Sequence, residues 1–74
     1  TLREVLAENL KRHRLATGLS QEELAHRADI DRTYVSSLER CQYSATVDMI
    51  EKLARVLGVE AAELLVVPSA ASET

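Results

Sequence analysis

The stretch from Leu19 to Arg40 constrains the fold more than any other part of the chain, because its residues predict two short helices joined by a tight turn. The first helix is predicted to begin after Ser20, since Ser followed three residues later by Glu23 forms a capping box that satisfies backbone N–H groups. The second is predicted to begin after Asp31, whose carboxylate also suits the positive end of the helix dipole. The pattern predicts an all-helical domain organised around these two helices.

The second of these helices has a small apolar side and a larger polar one. At about 100° per residue, only Val35 and Leu38 lie on the apolar side. The opposite face gathers polar and cationic residues: Arg32, Thr33, Ser36, Ser37 and Arg40. Because that face carries two cations, several hydrogen-bonding groups and no carboxylate, it is suited to contact a polyanion.

These segments resemble the phage-repressor (XRE, Cro-like) family of DNA-binding proteins. Residues 18–25 (Gly-Leu-Ser-Gln-Glu-Glu-Leu-Ala) are similar to the family's first motif helix with its lead-in, and residues 31–40 (Asp-Arg-Thr-Tyr-Val-Ser-Ser-Leu-Glu-Arg) to its recognition helix. Residues 49–54, 57–59 and 64–65 are similar to the two helices that follow. The resemblance implies a five-helix, lambda-repressor-like, all-α DNA-binding domain with a helix-turn-helix. The Asp-Arg-Thr-Tyr start further resembles the small controller proteins of restriction–modification systems.

The resemblance and the helix geometry together predict which residues contact DNA. In this motif the first turn of the recognition helix enters the major groove, where Arg can pair with guanine and Thr can contact thymine. The predicted base contacts are Arg32, Thr33, Tyr34 and Ser37. The predicted phosphate contacts are Gln21, at a helix start where free N–H groups attract phosphate, and Arg40, Gln42, Tyr43 and Ser44 after the recognition helix. The alternative for each residue is an ordinary solvated position.

The remaining helices are predicted from apolar spacing and from residues that start or stop helices. The first runs from Thr1 to about Ala16 and stops at Gly18, and the fourth runs from Thr46 to Gly58. A fifth, short helix is predicted from Val59 to Val67. The domain is therefore expected to span residues 1–67, with residues 68–74 as a disordered tail. The predicted buried residues are Leu2, Val5, Leu6 and Leu10 in the first helix, Val47, Ile50, Leu53, Ala54 and Leu57 in the fourth, and Leu64 and Leu65 in the fifth.

Two charged residues are predicted to join the first helix to the recognition helix. Arg14 continues the buried stripe of the first helix, and Glu39 lies at the edge of the inward face of the recognition helix. In related repressors a cation and a carboxylate at the matching positions form a pair. The resemblance therefore implies an ion pair between Arg14 and Glu39, with a structural role.

Asp29 and Cys41 stand at positions where the family often has glycine. Asp tolerates a positive φ reasonably well, whereas Cys does so poorly. We therefore expect the loop after Arg40 to take an altered path, which would affect the contacts predicted for Gln42 to Ser44.

Composition and charge restrict the classes of function. The chain has 74 residues, one cysteine and a net charge of −3, which allow one small domain and exclude an internal disulfide. The basic and acidic residues number seven each in residues 1–40, against two and five in residues 41–74. A dimer could therefore present its neutral half to DNA.

His13, His26 and Cys41 lack the spacing of a metal site, and no catalytic set or cofactor motif is present. We expect a cytoplasmic protein without a membrane segment, an enzymatic activity or a small-molecule ligand.

The sequence favours a transcriptional regulator that binds double-stranded DNA sequence-specifically as a homodimer on a palindromic operator. Dimerisation is predicted from the small size, the resemblance, and apolar residues left over at the C-terminal end: Val56, Leu64, Val66 and Val67. Two alternatives remain at this point. The chain can be the DNA-binding module of a longer, sensor-containing regulator, or a protein-interaction adaptor that has kept the fold.

Overall fold

The computed structural model describes residues 1–67, and this part of the chain consists of four α-helices and one 3₁₀ helix. The helices are α1 (Leu2–Thr17), α2 (Gln21–Ala28), α3 (Arg32–Glu39), α4 (Val47–Leu57) and the 3₁₀ helix (Ala61–Leu65). The predicted all-α class is confirmed. The predicted tail, residues 68–74, lies outside the described residues. None of the helices described is long and apolar enough to cross a membrane.

Each α-helix begins at the capping residue predicted from the sequence. The Ser20 hydroxyl accepts a hydrogen bond from the Glu23 N–H at 3.0 Å, and the Glu23 carboxylate accepts one from the Ser20 N–H at 2.9 Å. Asp31 and Thr46 cap α3 and α4 through their side-chain oxygens, each at 3.1 Å, and Thr1 caps α1 in the same way. The Asp31 cap thereby fixes the turn between α2 and α3 on the α3 side by a local hydrogen bond.

Each α-helix ends in a Schellman motif, in which a residue in the left-handed conformation reverses the chain. That residue is Gly18, Asp29, Cys41 or Gly58, with φ between 59° and 78°. At Cys41 the Cys41 N–H donates to Leu38 O at 3.0 Å and the Gln42 N–H donates to Ser37 O at 2.9 Å, which is the pattern of the motif. The altered loop path predicted from Cys41 is therefore wrong. The thiol-bearing residue adopts the left-handed conformation itself, at a cost of about 1–2 kcal/mol.

The core receives at least one side chain from every helix. Its centre is formed by residues no more than 1% exposed: Leu10, Leu24, Val35, Leu38, Leu53 and Leu64. Two predicted core residues are on the surface instead, since Leu2 is 59% exposed and Val47 is 80% exposed. Each is the first residue of its helix, and both line an open groove at the edge of the core although their spacing fits the apolar stripe.

The predicted fifth α-helix is a short 3₁₀ helix, and the buried Asn9 of α1 accounts for its end. The Asn9 side-chain amide donates to Leu64 O at 3.0 Å and to Val66 O at 2.8 Å, and the residue is fully buried. These carbonyls are thus bonded to α1 instead of to a further helical turn. Arg12 donates to Asn9 Oδ1 at 3.1 Å and completes the hydrogen bonding of the amide.

Candidate nucleic-acid interface

The first turn of α3 presents polar side chains to solvent because the other side of the helix is anchored in the core. Val35 and Leu38 are 0% and 1% exposed. Arg32 and Thr33 are exposed, and Ser37, one turn further on, is half-buried. The helix therefore faces outward as the sequence predicted, with the guanidinium and hydroxyl groups accessible to a ligand.

A buried ion pair fixes α3 against α1. Arg14 Nε lies 2.6 Å from Glu39 Oε2, and Arg14 Nη2 lies 3.0 Å from Glu39 Oε1. The two side chains are only 9% and 4% exposed. Arg14 Nη1 also donates to the Leu19 carbonyl at 2.9 Å, and the hydrogen bond to Glu39 raises the pKa of Arg14. The predicted pairing is confirmed, and its bidentate geometry fixes both the distance and the rotation of α3.

The same carboxylate also holds Gln21, the predicted phosphate contact on α2. Gln21 Nε2 donates to Glu39 Oε1 at 3.0 Å. One amide therefore joins α2 to an ion pair that already joins α1 to α3. A glutamine amide has a second N–H and a carbonyl oxygen, so this contact leaves Gln21 with hydrogen-bonding capacity beside the start of α2. The sequence did not predict this contact between Gln21 and Glu39.

The loop after α3 carries the other predicted phosphate contacts. Arg40, Gln42, Tyr43 and Ser44 are all exposed. The ring of Tyr43 packs against that of Tyr34, with centroids 5.5 Å apart and planes inclined at 59°. Residues nine positions apart give no periodic signal, so this aromatic pair was not predictable from the sequence.

The interface and its surroundings show no arrangement of metal ligands in the part of the chain that the structure describes. Within residues 1–67 no group of three or more His, Cys, Asp or Glu side chains lies close enough to hold a metal ion. Hydrogen-bond donors and two exposed cations, Arg32 and Arg40, are the chemistry that this surface offers. Such a surface is suited to binding and base recognition.

Two helices joined by a tight turn, the second with its polar first turn exposed, define the helix-turn-helix class of DNA-binding proteins. The chain belongs to the HTH_3 helix-turn-helix family, whose profile matches residues 10–64. This family comprises XRE-like, DNA-binding transcription regulators.

Relatives of known sequence and structure agree with this assignment. A hypothetical transcription factor from Neisseria meningitidis is 49% identical over 67 residues, which cover 90% of this chain and 63% of that protein. The chain therefore spans less than two thirds of the length of this relative. The crystal structure of a hypothetical transcription factor from Neisseria superposes with a TM-score of 0.94 at 45% identity, covering 99% of this chain and 84% of the other.

Restriction–modification controller proteins are also similar to this chain. Control protein C.BamHI from Bacillus amyloliquefaciens is 37% identical over 65 residues, covering 86% of this chain and 80% of that protein. One chain of the controller protein C.Esp1396I, from the crystal structure of its tetramer in complex with its natural 35 base-pair operator, superposes with a TM-score of 0.78 at 32% identity, covering 85% of this chain and 83% of the other.

Proposed function

We propose that this protein is a transcriptional regulator that binds double-stranded DNA sequence-specifically, with the first turn of α3 in the major groove. The observation that carries the proposal is the rigid presentation of this turn. Arg32 and Thr33 are exposed, while Val35, Leu38 and the Arg14–Glu39 pair hold the helix from behind. A pre-organised helix loses little freedom on binding, so its base contacts translate efficiently into affinity and specificity.

The proposed contacts divide into base readers and phosphate anchors. Arg32, Thr33, Tyr34 and Ser37 read base edges, because they lie on the exposed or flanking side of α3. Gln21 at the start of α2, with Arg40, Gln42, Tyr43 and Ser44 after α3, contacts the phosphates on either side. Arg14 supports this arrangement by neutralising Glu39, whose carboxylate would otherwise repel the DNA backbone.

We further propose that two copies bind together as a homodimer on a palindromic site. Leu64 is fully buried and therefore belongs to the core, so the surface predicted from the sequence must be corrected. Val66 and Val67 are 45% and 42% exposed, and Leu2 and Val47 are exposed beside an apolar groove of about 370 Å³ that Leu65 also lines. We propose that a second copy covers this groove, and on a palindromic site the two recognition helices would then have to lie about 34 Å apart to enter successive major grooves.

The first experiment is a selection of bound duplexes from a randomised DNA pool, followed by sequencing. An enriched palindrome supports both the sequence-specific regulator and the dimer, and an enriched single half-site supports a monomeric reader. A well-folded protein that enriches no sequence refutes the proposed function. Sedimentation of the protein on the selected duplex then gives the number of copies bound.

Three variants separate the proposed base reader from the proposed phosphate anchors. Arg32→Ala is expected to weaken the selected site by about 1–3 kcal/mol and to relax the preference at one base position. Arg40→Ala is expected to weaken all sequences alike and to lower the salt dependence by about one counterion. Lys52→Ala is the matched control, because it removes an exposed cation from α4. Equal loss of specific and nonspecific binding in Arg32→Ala would contradict its assignment as a base reader.

The two alternatives predict different results. An adaptor that has lost DNA binding shows no dependence of affinity on salt, whereas a DNA binder shows a steep decrease in affinity as the salt concentration rises. A module of a longer regulator still selects a DNA site, and its coding sequence continues beyond Thr74. The chain spans 63% of the Neisseria meningitidis relative. This difference in length is the reason to test whether the chain is a module of a longer regulator.

A further inference from the structure

The aromatic pair formed by Tyr34 and Tyr43 connects the two halves of the proposed interface. Tyr34 lies in the first turn of α3, among the proposed base readers, and Tyr43 lies in the loop with the proposed phosphate anchors. Their ring centroids are 5.5 Å apart at an inclination of 59°, within the range that favours aromatic pairs. A backbone hydrogen bond from the Gln42 N–H to Ser37 O also joins the two sides, and within the described residues the tyrosine pair joins them through side chains.

The two rings differ in how firmly they are held. Tyr34 is half-buried and packs against the hydrophobic core on one side and against Tyr43 on the other. Tyr43 is 56% exposed, and Tyr34 is the only other tyrosine of a chain that has no phenylalanine or tryptophan. Among residues 1–67 the core therefore limits the ring of Tyr34 from the inside, and only Tyr43 limits it through an aromatic contact from the loop.

The chain path explains how these two residues meet. Cys41, in the left-handed conformation at the end of α3, reverses the chain so that the loop runs back along the helix. Tyr34 lies six residues before Arg40, which corresponds to about 9 Å along a helix. The reversal at Cys41 is what allows Tyr43 to reach back over that distance.

We propose that Tyr43 is a positioning residue that fixes the ring of Tyr34, so that the base preference of the first turn of α3 depends on the loop that contacts the phosphates. This inference rests on the proposed function as a sequence-specific DNA reader. A ring restricted on both sides loses less rotational freedom when it contacts a base edge than a free ring does. Removal of Tyr43 therefore weakens discrimination between bases at the position next to Tyr34. This effect is separate from the loss of any contact between Tyr43 and a phosphate.

The test compares the base preferences of variants in duplexes randomised at each operator position. Tyr43→Leu, which removes the ring and keeps an apolar side chain, is expected to lower the preference at one base position about two- to tenfold, the range that corresponds to an aromatic pair. Tyr43→Phe keeps the ring and is expected to keep the preference, even where loss of the hydroxyl lowers overall affinity. Gln42→Ala, in the same exposed loop, is the matched control and is expected to lower affinity without changing any preference.

A double-variant cycle shows whether Tyr43 acts through Tyr34. In a Tyr34→Leu background, Tyr43→Leu is expected to cause no further loss of preference at that position. The proposal is overturned if Tyr43→Leu weakens all sequences equally, as Gln42→Ala does, or if its effect on preference persists without Tyr34. Failure of the wild-type protein to enrich any sequence refutes the proposed function itself, which is a different result. Thermal unfolding of each variant establishes that the substitutions leave the domain folded.

Discussion

The buried pair of Arg14 and Glu39 allows the most quantitative prediction. Both side chains are less than 10% exposed, and the carboxylate accepts hydrogen bonds from Arg14 and from Gln21. Removal of one partner leaves the other charge desolvated and unpaired, which costs about 3–5 kcal/mol. A domain of this size is stable by only about 4–11 kcal/mol in total. Either single substitution is therefore expected to remove a large part of the free energy of unfolding.

The variants are Arg14→Met, Glu39→Leu and the two combined. Arg14→Met is expected to cost about 3–4 kcal/mol, and Glu39→Leu slightly less, because Arg14 also donates a hydrogen bond to Leu19 O. The double variant replaces both charges by apolar groups and is expected to be no less stable than either single variant. Since the double variant then costs no more than the less costly single variant, the coupling free energy is at least about 3–4 kcal/mol, at or just above the upper end of the range measured for residues in contact.

Urea unfolding followed by circular dichroism measures these free energies, and thermal unfolding checks them. A loss of 3 kcal/mol corresponds to a decrease in Tm of about 12–24 °C for a domain of this length. Lys52→Met is the control, since it makes a comparable change at an exposed position of α4 and is expected to stay within about 0.5 kcal/mol of wild type. Costs that add in the double variant to within about 0.5 kcal/mol would refute the pairing.

Three further predictions concern single positions. Cys41→Gly is expected to raise the free energy of unfolding by about 0.5–1 kcal/mol, because glycine adopts a φ of 61° without strain and this gain exceeds the cost of its greater flexibility in the unfolded chain. A free energy of unfolding that is unchanged or lower in urea unfolding would contradict this. Asn9→Leu is expected to cost about 2–3 kcal/mol, since Leu64 O and Val66 O lose their donor, whereas Leu15→Asn, at an exposed position of the same helix, is expected to be nearly neutral. The hydrogen bond from the Ser20 N–H holds the pKa of Glu23 below its ordinary value of 4.5, so its stabilising effect is present above that pH and is lost as the pH falls through the lowered pKa. The difference in Tm between wild type and Glu23→Gln should accordingly decrease on acidification below about 4.5, and a difference that is constant with pH would exclude this contribution.

The helix boundaries were predictable because their signals are local. Ser20 with Glu23, Asp31, and Thr46 act on backbone groups within three residues, so the sequence around each one is sufficient. The Arg14–Glu39 pair required more, namely the family resemblance, because no local pattern connects positions on different helices. Gly18 and Gly58 ended their helices as expected. Cys41 was expected to avoid a positive φ because cysteine tolerates it poorly, but that argument considers only the intrinsic preference of the residue and not the surrounding structure.

The errors arose where tertiary structure decides. The spacing of Leu2 and Val47 fits an apolar stripe, but periodicity does not indicate whether a neighbouring element covers the end of a helix, and both residues are exposed beside an open groove. Asn9 is adjacent to the stripe formed by Leu6 and Leu10, yet its burial depends on three carbonyls of a segment more than fifty residues away. The sequence predicted that Leu64 faces inward, which is correct, and also assigned it to a dimer surface, which full burial excludes.

The hydrogen bond from Asn9 to Val66 has a consequence for the mechanics of the chain. It joins two residues 57 positions apart, so that the polypeptide between them forms a closed ring that contains α2, α3 and their turn. A force that pulls the two ends of the domain apart is therefore expected to load this hydrogen bond before it stretches the chain within the ring. We expect the start of α1 and the residues Val66 and Val67 to exchange their amide hydrogens as one cooperative unit. The helices α2 and α3 are thereby shielded from a force that is applied to the chain outside the ring.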